Sequence, residues 1–353
     1  MRAAVYHKFG GHIAVEDVPR PTAPPGGVVV EVRANGLCRS DWHGWRGHDD
    51  DISRLPHVPG HEMAGVIAQV GAGVENFRVG DRVVAPFILA CGACRECTVQ
   101  KQPTVCRDQR QPGFHLWGSF AEAVALPRAD LNLLRLPDAV GFDAAASLGC
   151  RLTTAYRAVT HQGKVRAGMT VAVFGCGGVG LSAVLICRAL GARVIAADVS
   201  SAARGRAEDL GAAAALDAGV GYDALRDAML DATGGGADVA LDCVGGAGTA
   251  STVCAVQSLR RGGRLVQVAL PQDGPALPVA LMAARELELV GSHGASPSDV
   301  REVLQLVVQG RLQPTDLLLE RVTLSASCEH VMAMDAVDAG GGGGVRICDD
   351  FAH

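Results

Sequence analysis

Cys38, His61, Glu62 and Cys150 are the residues of this chain with the most to offer chemically. They stand in Cys38-Arg39-Ser40-Asp41-Trp42-His43, in Gly60-His61-Glu62, and just ahead of a nucleotide-binding pattern. Two thiolates and an imidazole suit zinc, which at catalytic sites takes three protein ligands and leaves a fourth position for water or substrate. Taken singly, each would read as an ordinary buried Cys or His. Together, and beside a dinucleotide loop, they point to a Lewis acid serving hydride chemistry.

That loop is Gly175-Cys176-Gly177-Gly178-Val179-Gly180, between a β-rich run and an Ala-rich stretch. Its glycines permit a tight turn, close approach of backbone to a pyrophosphate and close helix packing, and the helix N-terminus adds partial positive charge. Asp198 closes the next strand about 20 residues on, where a carboxylate accepts from the adenosine ribose 2′-hydroxyl. A 2′-phosphate would meet like charge there, so NAD is expected over NADP. A second cysteine set, Cys91-x2-Cys94-x2-Cys97-x8-Cys106, has the density of a closed structural zinc site of four thiolates.

These residues need two kinds of scaffold. Up to about residue 130 the chain shows short β-rich runs cut by Pro and Gly, such as Val28–Val32, Gly65–Val70, Asp81–Ala85 and Phe120–Ala125, the rhythm of a small β-barrel. From about residue 152 strand and helix patterns alternate, with Val171–Phe174, Arg193–Ala197, Asp238–Asp242 and Arg264–Val268 as parallel strands of a doubly wound sheet. Beyond Gly291 the pattern is mixed, and the five-glycine run Gly340–Gly344 reads as a flexible loop. Met169–Cys187 carries no charge, but its phosphate-loop glycines make it a buried strand and helix and not a membrane span.

The 353 residues exceed what one core usually organises, and 48% hydrophobic residues suffice for two. A formal charge of −5 without a basic block argues against a nucleic-acid partner. The start shows no export signal, so a cytoplasmic setting is expected, and the twelve cysteines suit metal binding better than disulfides.

The motifs together resemble the zinc-dependent alcohol dehydrogenases of the medium-chain dehydrogenase/reductase superfamily, over essentially the whole chain. The resemblance implies an α/β protein with a chaperonin-10-like β-barrel catalytic domain and a Rossmann domain, the active site lying in the cleft between them. The expected bounds are 1–151 for the barrel with both zinc sites, 152–292 for the Rossmann domain, and 293–353 for a C-terminal segment completing the barrel. Cys38, His61 and Cys150 would then be catalytic zinc ligands, with Glu62 an acid able to exchange onto the metal and Asp41 the carboxylate orienting His61. Ser40 and His43 match the family's proton relay. Arg39 and Arg346 match arginines at the cofactor pyrophosphate, Thr154 and Val179 residues behind the nicotinamide, and Val268 is a further cofactor contact. Trp45, Phe87 and Trp117 fall in stretches that line the substrate cleft, suiting a primary or small secondary alcohol and its aldehyde or ketone. Relatives form dimers or tetramers, and the length fits the tetrameric kind.

Two departures accompany the resemblance. The last cysteine interval is eight residues where seven is usual, with no glycine within Thr98-Val99-Gln100, which leaves open whether the lobe closes on a metal. Where a lysine often follows the ribose-binding acid there is Ala203, with Arg204 next to it. The same residues would also serve a zinc reductase of a specialised carbonyl or imine in a biosynthetic pathway. A nucleotide-binding protein without turnover is the alternative of another class.

Overall fold

The computed structural model describes residues 1–245, 250–271, 274, 276–334 and 345–351, with only the backbone of Val345. The run Gly340–Gly344 lies outside the described residues. The chain divides into two compact units, one containing Met1–Thr153 with the later elements between Gly294 and Phe351, the other containing Thr154–His293.

In the first unit β1 (Arg2–Val5) and β2 (Ala14–Asp17) form an antiparallel pair. A larger sheet contains β3 (Val28–Leu37), β4 (Glu62–Val70), β5 (Arg82–Val84), β6 (Ala123–Leu126) and β7 (Leu134–Arg135). At its other side stand two strands from the end of the chain, Leu318–Thr323 and Val345–Asp350, the latter antiparallel to β3 with Arg346 opposite Leu37. β-branched Val28, Val30 and Val32 project from one face of β3, as the period of two requires, and join Met63, Ile67, Phe120, Val124 and Leu126 in one buried cluster. Each such fully buried apolar side chain contributes roughly 1.5–3 kcal/mol, which makes this layer a stiff platform for what its strand ends carry.

The second unit is a parallel sheet of β8 (Thr170–Phe174), β9 (Arg193–Asp198), β10 (Ala214–Asp217), β11 (Ala237–Asp242), β12 (Leu259–Gln267) and β13 (Glu288–Gly291), in the order β10-β9-β8-β11-β12-β13. That is the Rossmann order, with its reversal at β8. β8 and β9 read as continuous apolar runs because helices cover both faces of such a sheet. Met169–Cys187 accordingly contains β8 and most of the helix Gly178–Ala189, and no described helix is long and apolar enough to cross a membrane. Gly175 leaves β8 with φ +87°, and a Cβ on Gly180 would collide with the Gly175 carbonyl, so two loop glycines answer to a turn and a close approach.

Candidate metal centre

Cys38 follows β3 and opens the helix Arg39–Arg46, its backbone still extended at φ −112° and ψ 151°. Asp41, in the first turn, accepts from the Cys38 backbone N–H at 3.0 Å through Oδ2. Its Oδ1 accepts from the Gly60 N–H at 3.0 Å and from His61 Nδ1 at 2.9 Å. One buried carboxylate therefore fixes the turn that carries Cys38 and the ring of His61. Glu62 begins β4 opposite Gly36 of β3. Cys150 immediately precedes the helix Arg151–Arg157, and its neighbour Gly149 accepts through its carbonyl from the Phe87 N–H at 2.9 Å.

These elements bring one ligand atom from each of Cys38, His61, Glu62 and Cys150 within 4.8 Å of the others, all four residues buried. The donor set fits zinc, and a specific observation supports the fit. His61 has its Nδ1 committed to Asp41, yet its buried Nε2 has no hydrogen-bond partner. An unpaired buried ring nitrogen carries a desolvation penalty that a metal ion removes. Burial opposes charge on His61, but Asp41 outweighs it and makes the ring more basic than usual, hence a stronger donor. A hydrogen bond from Cys150 drives the Cys38 thiol well below its ordinary value against the effect of burial, with His61 and Arg151 adding to it.

Glu62 is not loose in this space. Arg151 Nε donates to both its oxygens at 2.8 and 3.0 Å, Nη2 donates to Oε2, and the Arg151 backbone N–H reaches Oε1 at 3.0 Å. Burial pushes the Glu62 carboxyl up, and Arg151 pulls against it.

Ser40 and His43 lie on the same helix as Asp41. Ser40 Oγ is 3.7 Å from Cys38 Sγ, and His43 Nδ1 is 3.2 Å from Nδ1 of exposed His48. Arg39 lays its guanidinium 4.6 Å over the Trp42 ring and donates to the Met334 carbonyl at 3.1 Å. Arg346 points Nε at Glu320, 3.2 Å away.

The three aromatics named from the sequence stand in different surroundings. Phe87 packs on Cys38, Ile88 and Cys150 and meets the His61 ring edge-on at 5.7 Å. Trp45 instead joins the sheet core, its Nε1 donating to the Gly11 carbonyl at 2.6 Å. Trp117 is 40% exposed, donates to the Pro56 carbonyl at 3.1 Å and lines a pocket with Met1, Pro21 and Val58. Phe114, which spacing did not single out, lies 5.3 Å from His61. Arg151 was also missed, because its place directly after a candidate ligand cysteine does not reveal a partner 89 residues away.

Cys91, Cys94, Cys97 and Cys106 likewise bring their sulfurs within 4.8 Å of one another. The eight-residue interval therefore closes, passing through Lys101 at φ +56° and a turn at Pro103–Val105. The N–H groups of Ala93 and Cys94 reach Cys91 Sγ at 3.3 and 3.2 Å and bring that thiol down to about 6.

In the second unit Asp198 ends β9. Its Oδ2 accepts from the Cys176 N–H of the glycine loop at 2.7 Å and its Oδ1 from the Ser200 N–H at 2.8 Å. Gly178, Val179 and Gly180 begin the helix behind that loop, with Gly177 just before it. Val268, just past β12, donates to the Asp242 carbonyl at 3.1 Å, and Thr154 is buried with Oγ1 lacking a hydrogen-bond partner.

The matches to known protein families fall in both units. Residues 24–138 match the alcohol dehydrogenase GroES-like domain and residues 178–309 the zinc-binding dehydrogenase domain. An alcohol dehydrogenase of Geobacillus stearothermophilus is 33% identical over 314 residues, covering 89% of this chain and 90% of that one. Among solved structures, alcohol dehydrogenase TADH from Thermus sp. ATN1 superposes with a TM-score of 0.88 at 31% identity, covering 99% of both chains. An NAD-dependent alcohol dehydrogenase does so with a TM-score of 0.85 at 30% identity and the same coverage. Fold, paired cysteine sites and likeness along nearly the whole length place this chain in the zinc-binding alcohol dehydrogenase family.

Proposed function

We propose that the chain interconverts small primary or secondary alcohols and their aldehydes or ketones, using NAD(H) and a zinc ion held by Cys38, His61 and Cys150. The carrying observation is the buried Cys38–His61–Cys150 set, with His61 Nε2 unpaired and Asp41 fixing two ligands at once. When bound, zinc lets an alcohol hydroxyl ionise near neutral pH, and NAD+ takes up the hydride.

The remaining work belongs to side chains. Asp41 keeps the His61 tautomer that frees Nε2. Ser40, its Oγ 3.7 Å from Cys38 Sγ, is placed to take up the proton of the alcohol, and half-buried His43, its Nδ1 3.2 Å from that of exposed His48, is placed to release a proton to water. Phe87 and Phe114 supply an apolar wall that excludes water from His61. Asp198, held by two backbone N–H groups at the mouth of the glycine loop, presents negative charge where a 2′-hydroxyl fits and a 2′-phosphate does not. Arg39, Arg346, Thr154, Val179 and Val268 complete the cofactor contacts in this reading. Association into a tetramer or dimer also belongs to it, and the mass in solution tests that part.

The test is turnover of an alcohol panel with NAD+ and NADP+, and of the matching carbonyls with the reduced nucleotides, before and after chelation. Oxidation of small alcohols with NAD+, lost on chelation and restored by zinc, is expected. No turnover with either nucleotide, or turnover indifferent to metal removal, would contradict it. Turnover confined to an elaborate carbonyl or imine would favour the biosynthetic reductase.

A further inference from the structure

The Glu62 carboxylate sits among the ligand atoms of Cys38, His61 and Cys150, completely buried and next in sequence to a ligand. Carboxylate oxygen is itself a good zinc donor. Left free, Glu62 would fill the position that an incoming alcohol needs. Its oxygens are instead occupied by one residue, Arg151, through Nε, Nη2 and the backbone N–H. The Arg151 side chain is only 7% exposed, so this grip is not diluted by water. The sheet makes room for it at Gly36, where a Cβ would collide with Glu62 Oε2 and come within 2.8 Å of Arg151 Nη2. Charge leads to the same place. A divalent ion with two thiolates and a carboxylate leaves one uncompensated negative charge in a buried space, and the guanidinium cancels it.

We propose that Arg151 is a positioning residue that holds Glu62 back from the metal, keeping the fourth coordination position open for substrate. This rests on the zinc reading of the same site. The planar guanidinium suits the task because it takes both carboxylate oxygens in a fixed geometry, which an ammonium cannot. Arg151→Ala frees Glu62 to bind the ion, whereas Arg151→Lys keeps the charge and loses the fork.

The test uses cobalt-substituted and zinc-loaded full-length protein. In the unaltered chain a second cobalt ion, beyond the one the four-cysteine lobe takes, adds a part of the thiolate-to-cobalt absorption that C38S lacks, and absence of that part would sink the zinc reading and this proposal with it. R151A is expected to shift the visible cobalt bands, slow the release of zinc to a chelator and lower kcat by about 10–100-fold with a smaller change in KM. R151K, which keeps a cation at the site should R151A fail to fold, is expected to do the same in part. Removing the freed carboxylate in R151A/E62Q, or R151K/E62Q, is expected to return the bands toward the parent and recover about tenfold in kcat. Bands and zinc release unchanged in the single variants, or no recovery in the double variants, would overturn the proposal.

Discussion

The two cysteine sites of the first unit hold their ligands by different means. Cys91, Cys94, Cys97 and Cys106 come from sixteen consecutive residues, three of them part-exposed, and are arranged by the loop's own backbone N–H groups. Cys38, His61 and Cys150 come from three distant stretches, are all buried, and are held by side chains from other elements: Asp41 on His61, Phe87 on the sulfurs. Four like thiols can close around an ion with little outside help, and nothing among them moves a proton. A site that must stay open needs a frame, because any nearby donor will otherwise close it. The lobe is a staple; the buried set, on the proposal made above, is a reaction site whose fourth position Arg151 keeps open.

Changes that remove one support at a time sharpen that contrast. The largest expected loss of stability follows Cys106→Ser, which breaks the lobe: about 4 kcal/mol or more, the scale of losing a structural metal, read as a fall in Tm and in bound zinc. Asp41→Asn strikes the open site. Asp41 accepts three N–H bonds, and an amide nitrogen placed toward Cys38, Gly60 or His61 would face a donor. A loss of about 10–100-fold in kcat or zinc affinity is expected, with only a small change in Tm. If Asp41→Asn were silent while Cys106→Ser abolished turnover in folded protein, the roles of the two sites would be exchanged. Gly36→Ala forces the Glu62–Arg151 pair apart and is expected to cost about 2 kcal/mol by overpacking, measured by denaturant unfolding.

The smallest effect belongs to the second unit and depends on pH. Although burial pushes Asp238 the other way, the Thr170 N–H and Arg260, each at 2.7 Å, hold its carboxyl below the ordinary value. A depressed folded-state value means that the carboxylate stabilises fully above the unfolded value near ~4 and that this is lost as pH falls through the folded one. Asp238→Asn is therefore expected to cost about 1 kcal/mol at pH 7 and progressively less under acid, which paired urea titrations would show. A deficit that grew on acidification would reverse the assignment.

Local patterns carried much of this in advance. Gly175 to Gly180 with Asp198 marked the Rossmann crossover because that motif is a turn, a strand end and a helix start within one unit. The cysteine sets were visible because residue type alone identifies a soft ligand. What spacing could not show was partnership at a distance. Arg151 meets a carboxylate 89 residues away, and its place after Cys150 looks like an ordinary helix start. Phe114 went unnoticed for a related reason, since which aromatic ring reaches His61 depends on the path of loops that no periodicity describes. The eight-residue interval closed because Lys101 takes a left-handed turn, which few residue types advertise.

Zinc content and alcohol oxidation measured side by side for the unaltered chain and for Cys38→Ser test the central claim most directly. The account predicts two zinc ions per chain in the first, about one in the second, and loss of NAD-linked alcohol oxidation in a folded protein on the order of a thousandfold or more. A Cys38→Ser chain that kept full turnover, or an unaltered chain that turned over alcohol with no metal at this centre, would contradict it.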